Sequence, residues 1–91
     1  MNMNNEIVQT VKTDISVYLS VIKNILNMIM NCDDIFQIMA LLDKLADRFD
    51  EIWENEYAVK AIKILNAIEL SNEPNVDSYK DLIRFDFARY F

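Results

Sequence analysis

The sequence predicts an all-α protein, a small antiparallel bundle of three to four helices that forms one domain over residues 1–91. The chain has no glycine and a single proline, so it lacks the residues that most readily form positive-φ turns and hairpins. Apolar residues instead recur at steps of three and four, which is the spacing of a helix face. Since so short a chain buries a modest core, an oligomer would enlarge that core.

The first predicted helix spans residues 6–31. Its apolar face consists of Val8, Val11, Ile15, Tyr18, Ile22, Ile25 and Ile29. Leu19 and Leu26 widen this face on one side, whereas Val17, Val21 and Met28 widen it on the other, to an arc of roughly 200°. Such an arc indicates either a central helix covered by the rest of the chain or a face that a second copy or a partner covers.

The second predicted helix spans residues 34–54, with Asp33 and Asp34 available at its N-terminus. Its predicted buried stripe is Ile35, Ile38, Met39, Leu42, Leu45, Ala46, Phe49, Ile52 and Trp53. The opposite side carries carboxylates at steps of three and four, namely Asp43, Asp47, Asp50, Glu51 and Glu54. Residues 33–55 hold seven acids and two bases, so they supply −5 of the net charge of −6. These five carboxylates are the predicted partner-binding residues, although a solvated outer face would also carry such charges.

The third predicted helix spans residues 56–70. Apolar periodicity shifts after Trp53, and an unbroken helix over 34–70 would be about 55 Å long, far longer than the first helix. We therefore predict a kink or short turn near Glu54–Glu56. No glycine or proline marks the break, and the pattern leaves the continuity of the two helices open.

The fourth predicted helix spans residues 77–90 and follows a loop at residues 71–75. Pro74 restricts the residue before it, and Asn75 or Asp77 can cap the helix. Residues 82–88 also fit a strand, because Ile83, Phe85 and Phe87 alternate with Arg84 and Asp86. A lone strand would have no partner in this chain, so the helix is favoured.

The chain end combines aromatic and arginine side chains, a combination that either closes a core or contacts another protein. We predict that Phe87 and Tyr90 lie in the core. Phe85 and Phe91 fall partly off the buried face and are predicted to be exposed.

The sequence has few of the residues that catalytic sites use, since it contains no histidine and no glycine. Imidazole bases, Ser-His or Cys-His pairs and phosphate-cradling loops are therefore excluded, and we expect no enzyme activity and no cofactor. We also expect no metal site, since carboxylates on one rigid helix face cannot wrap an ion. Cys32 is expected to be a structural thiol, because the neighbouring Asp33 and Asp34 oppose thiolate formation.

The net charge limits the kinds of partner, and the single cysteine indicates the cellular location. A net charge of −6 disfavours direct nucleic-acid binding and favours a basic protein partner. We identify neither a signal peptide nor a membrane span. The single cysteine fits a cytoplasmic location.

These observations predict a non-enzymatic inhibitor, immunity-type or anti-CRISPR-like, that neutralises a nuclease, a toxin or a nucleic-acid-binding effector through the carboxylates of the second helix. In size, acidity and helical character the chain resembles phage-borne inhibitors, toxin-immunity proteins and small secretion chaperones, without a shared motif. The alternative is a helical oligomer, such as a homodimer, or a secretion-type chaperone that binds a partner helix. Its apolar interface would comprise Val17, Val21, Met28, Phe85 and Phe91.

Overall fold

The computed structural model describes the backbone of residues 3–91 and the side chains of residues 15–91. Within residues 3–91 the elements are α1 (Met3–Met30), α2 (Ile35–Glu51), α3 (Asn55–Leu70), α4 (Val76–Asp86) and a 3₁₀ turn (Ala88–Tyr90), with no strand. The predicted small all-α bundle is therefore confirmed. None of the helices in this part of the chain is both long enough and apolar enough to cross a bilayer.

Helix α2 holds the middle place in the bundle. It packs against α1 on one side and against α3 on the other, and it buries Ile38, Leu42, Leu45, Ala46 and Phe49. The core side chains of α1 are Ile22, Ile25, Leu26 and Ile29. Among the described residues, α2 rather than α1 is therefore the helix that contacts both of its neighbours most extensively. Two members of its predicted stripe, Val8 and Val11, lie outside the described side chains.

Side-chain caps start two of the helices, as the sequence predicts. The Oδ1 atom of Asp34 accepts the backbone N–H of Phe36 at 2.9 Å at the start of α2. The Oδ1 atom of Asn75 accepts the N–H of Ser78 at 3.0 Å at the start of α4. Each cap satisfies amide donors that a helix start otherwise leaves without partners.

The turn between α2 and α3 is a Schellman motif with an unusual residue in it. The N–H of Glu54 donates to the carbonyl of Phe49 at 2.9 Å, and the N–H of Trp53 donates to Asp50 at 3.0 Å. The residue in the left-handed region of such a motif is normally glycine. In this glycine-free chain it is Trp53, with φ of 59°.

This turn corrects three predictions. The second helix ends at Glu51 rather than Glu54, and the break lies at residues 52–54, slightly before its predicted place. Trp53 was predicted on the buried stripe, but its side chain is 86 % exposed. The reason is the positive φ, which takes the chain off the helical path, so the helical spacing no longer determines the direction of the indole.

An aromatic cluster closes the bundle at the end that contains this turn. The ring of Phe49 lies 5.4 Å from Tyr57, 5.5 Å from Phe87 and 5.0 Å from Tyr90, measured between centroids. The predicted burial of Phe87 and Tyr90 is confirmed. The strand alternative for residues 82–88 is wrong, since α4 continues to Asp86, although the predicted helix end at Tyr90 falls in the separate 3₁₀ turn.

A lysine connects α4 to the opposite end of the bundle. Lys80 is buried along its length, and its Nζ atom donates to Oδ1 of Asp33 at 3.1 Å. The carboxylate of Asp33 is itself largely exposed, so solvent screens the pair. The aliphatic stem of Lys80 therefore contributes packing while its charge reaches the edge of the protein.

Replacing Trp53 by glycine should stabilise the protein by about 1 kcal/mol, because a non-glycine residue in the left-handed region is strained. Urea denaturation measures the change. The matched control is Ala40→Gly at an exposed position within α2, which should lower stability by about 0.5–1 kcal/mol. A loss of stability in both variants would contradict the assignment of strain to Trp53.

Two phenylalanine substitutions should separate the core from the surface. Phe49→Ala should cost about 3–5 kcal/mol, since it opens a cavity at the centre of the aromatic cluster. Phe85→Ala should change stability by less than about 0.5 kcal/mol, since this ring is exposed on α4. Equal losses in thermal or urea unfolding would contradict the described packing.

Candidate protein-binding surfaces

Three of the predicted carboxylates form one exposed row on α2, which we call the acidic ridge (Asp43, Asp47 and Asp50). Steps of four and three residues place them about 6 and 4.5 Å apart along the helix axis. All three are exposed, and none forms an ion pair with any side chain of residues 15–91. The ridge therefore presents three carboxylates without ion pairs to solvent.

The other two predicted carboxylates do not belong to the ridge. Glu51 lies at its edge, where its Oε1 atom pairs with Nη2 of Arg48 at 2.7 Å. Glu54 lies beyond the end of α2, in the turn. The ladder of five carboxylates in the sequence thus becomes a row of three in the structure.

Glu54 belongs to a cluster that includes the end of the chain. Together with Arg89 and Tyr90 it lines a groove of about 460 Å³. Burial, and then the charge of Glu54, raise the pKa of Tyr90, so its hydroxyl stays protonated at neutral pH. The pKa of Arg89 is raised first by the side chain of Tyr57 and further by Tyr90 and Glu54. Glu54 and Arg89 are 35 residues apart in the chain, and in the fold they lie close enough for their charges to interact.

Phe36 adds an aromatic side chain to the exposed face of α2. Its ring is 78 % exposed, seven residues before Asp43 and therefore two turns away on nearly the same side of the helix. Sequence reasoning missed this residue. Its signal was available, because Phe36 lies off the buried stripe that begins at Ile35 and continues at Ile38.

An apolar groove of about 290 Å³ borders the ridge, between α2 and α3. Asp47 and Asp50 form one wall, and Val59 and Ile62, both exposed, form much of the other. Its remaining lining residues are Ala46, Asn55, Ala58 and Lys63. Carboxylates and exposed aliphatic carbon are therefore adjacent on this side of the protein.

A second surface, which we call the α1–α2 face, lies on the other side of α2. Two grooves, of about 380 and 710 Å³, share Met28 and Leu41 and are therefore adjacent. Val21 packs partly on the core, whereas Val17 is 54 % exposed and Met28 is 56 % exposed. The apolar arc predicted for the first helix is thus only partly covered in the single chain.

The charges of the α1–α2 face lie at its two ends. Lys44 and Arg48 line the end toward the aromatic cluster, while Asp33 and Asp34 line the end at the α1–α2 connection. The Nε atom of Arg48 is buried and has no hydrogen-bond partner among the described residues. The face is therefore apolar in the middle, basic at one end and acidic at the other.

The two remaining predicted interface residues are exposed and lie apart from this face. Phe85 is 81 % exposed on α4, and Phe91 is half exposed at the chain end. Neither lines a groove of the α1–α2 face. The structure therefore does not bring them together with Val17, Val21 and Met28.

Cys32 lies half-buried at the α1–α2 connection and packs against the core. Its Sγ atom donates to Oε1 of Gln37 at 3.4 Å and lies 3.5 Å from the carbonyl of Asp34. Among the described residues, no group of three or more histidine, cysteine, aspartate or glutamate side chains could hold a metal ion.

Comparison with known proteins adds no identification: no family model matches this chain, and neither the curated proteins nor the solved structures contain a significant match.

Proposed function

We propose that this chain is a non-enzymatic, cytoplasmic binding protein that neutralises a basic protein partner through the acidic ridge, in the manner of an immunity protein or a phage-encoded inhibitor. The partner would be a nuclease, a toxin or another nucleic-acid-binding effector. The observation that carries the proposal is the row of three exposed, unpaired carboxylates on α2.

The chemistry of the ridge suits a surface that already binds phosphate. Nucleic-acid-binding proteins present lysine and arginine clusters, and a row of carboxylates complements such a cluster. Charge complementarity accelerates the encounter and excludes partners of the same sign. An inhibitor of this type would act by occupying the site that the nucleic acid needs.

The ridge also lies beside apolar surface, which a lasting complex requires. Phe36 and the aliphatic wall formed by Val59 and Ile62 are exposed on the same side of the protein. Burial of exposed apolar surface favours association of proteins, whereas rim charges mainly set the association rate. The carboxylates would therefore select the partner, and the apolar side chains would hold it.

The ridge costs the free protein some stability. Asp43 and Asp47 are four residues apart on one helix, where like charges destabilise by a few tenths of a kcal/mol. Lys44 and Arg48 lie at the rim, toward the α1–α2 face, and offset only part of this repulsion. A surface that serves only solubility could carry charges of both signs. Because the ridge carries charges of one sign, a role in binding is favoured.

The α1–α2 face supports a second candidate function, a helical oligomer or a chaperone that binds a partner helix. The supporting observation is that Val17 and Met28 remain more than half exposed in the single chain. In this case the working surface would be apolar, and binding would depend little on salt.

Neutralising the ridge with Asp43→Asn, Asp47→Asn and Asp50→Asn should reduce the association rate with the captured partner at least tenfold, because steering depends on these charges. The partner is first recovered on the immobilised wild-type protein from a lysate of the native host. Surface plasmon resonance at several salt concentrations then measures both rate constants. The triple variant should also lose most of the salt dependence.

The matched control removes three carboxylates elsewhere, with Glu56→Gln, Glu69→Gln and Glu73→Gln, all of which are exposed. This control has the same net charge change and should keep a near wild-type association rate. If it loses as much as the ridge variant, general charge rather than the ridge governs binding. If the ridge variant binds as the wild type does, the proposal is wrong.

A further inference from the structure

We infer that the α1–α2 face binds a second copy of this chain, in a two-fold symmetric dimer with antiparallel α2 helices. The inference rests on the second candidate surface of the proposed function and does not depend on the acidic ridge. Its basis is the juxtaposition of an apolar centre with opposite charges at the two ends of two adjacent grooves.

The apolar centre defines where the two-fold axis would lie. Met28 and Leu41 are adjacent and common to both grooves, and the side chain of Met28 is more exposed than buried. A two-fold axis at this point, perpendicular to the helix axes, places Met28 and Leu41 against the same residues of the second copy. Val21 and Val17 continue the apolar surface along α1.

With the axis at this point, acidic residues of one copy lie opposite basic residues of the other. Asp34 precedes Leu41 by seven residues, and Arg48 follows Leu41 by seven residues, so each lies about 10.5 Å from the axis along the helix. Antiparallel pairing therefore places Asp34 of one copy opposite Arg48 of the other, twice in the dimer. Lys44 of each copy similarly faces Gln37 and the acidic end of its partner.

The opposite charge at each end also explains why a second copy fits better than an unrelated helix. A symmetric interface requires that a surface complement itself after rotation, and a face with one sign of charge would repel its copy. This face carries Lys44 and Arg48 at one end and Asp33 and Asp34 at the other, and within the chain Arg48 also pairs with Glu51 and Asp33 with Lys80. Arg48 lies at the end where the second copy brings Asp34, and its Nη2 atom also pairs with Glu51 of its own chain at 2.7 Å.

Light scattering of the full chain over a dilution series tests the inference. The wild type should run at twice the mass of one chain and should dissociate on dilution. Lys44→Glu with Arg48→Glu should make both ends acidic and abolish the dimer. Gln37→Lys with Asp34→Ser, which keeps an oxygen at the helix cap, should also weaken it, because lysines then face lysine and arginine.

Mixing these two charge variants provides the decisive measurement. In the mixed pair one end keeps its natural charges, and the other end pairs the new glutamates with the new lysine. A heterodimer should therefore form more tightly than the dimer of either variant alone. Absence of the heterodimer, with both variants folded by circular dichroism, would overturn the inference. A wild type that stays monomeric would also overturn it and would leave a partner helix as the occupant.

Cross-linking tests the position of the axis independently of charge. In a Cys32→Ser background, Leu41→Cys should give a covalent dimer with a short bis-maleimide, because the two cysteines meet at the axis. Ile62→Cys, exposed on the far side in α3, is the control and should not cross-link. Equal cross-linking of the two would contradict the proposed axis. Neither outcome bears on the acidic ridge, so failure of the dimer and failure of the ridge are distinguishable.

Discussion

Closure of this bundle depends on Phe49. Its side chain is fully buried, and its ring contacts Tyr57 of α3 and both Phe87 and Tyr90 of the C-terminal segment. Its carbonyl also accepts the N–H of Glu54, the bond that terminates α2. One residue thus ends a helix and joins the segments that follow, so the turn and the aromatic cluster are parts of one structure.

The same residue explains why a strained turn is tolerated. A tryptophan in the left-handed region costs about 1–2 kcal/mol. Burial of a phenylalanine in a well-packed cluster is worth about 3–5 kcal/mol, judged by the cost of removing such a ring. Without this turn α3 could not return along α2, and Tyr57 could not reach Phe49. Packing therefore exceeds the local strain, and a chain without glycine still makes a tight reversal.

The features that the sequence predicts correctly are local ones. Helical spacing identifies the buried stripe of α2 as far as Phe49, and Asp34 and Asn75 act as caps because they hydrogen-bond to amides two or three residues away. Trp53 escapes prediction because its conformation has no marker when glycine is absent. The environment of Glu54 escapes because Arg89 approaches it only in the folded chain. The three aspartates of the ridge were therefore predictable from the sequence, whereas the positions of Glu51 and Glu54 outside the ridge were not.

Helix α2 separates its functions around its circumference. At about 100° per residue, the ridge is centred roughly 140° from the edge that carries Leu41 and Arg48, and the buried stripe occupies much of the remainder. A second copy on the α1–α2 face would therefore leave both ridges free, on the outside of the dimer. Two ridges held at a fixed distance can engage two basic sites of one target with a high effective concentration. The Arg48–Glu51 ion pair lies at the boundary between the acidic ridge and the α1–α2 face. It holds the Glu51 carboxylate away from the ridge and leaves Arg48 at the edge of the α1–α2 face.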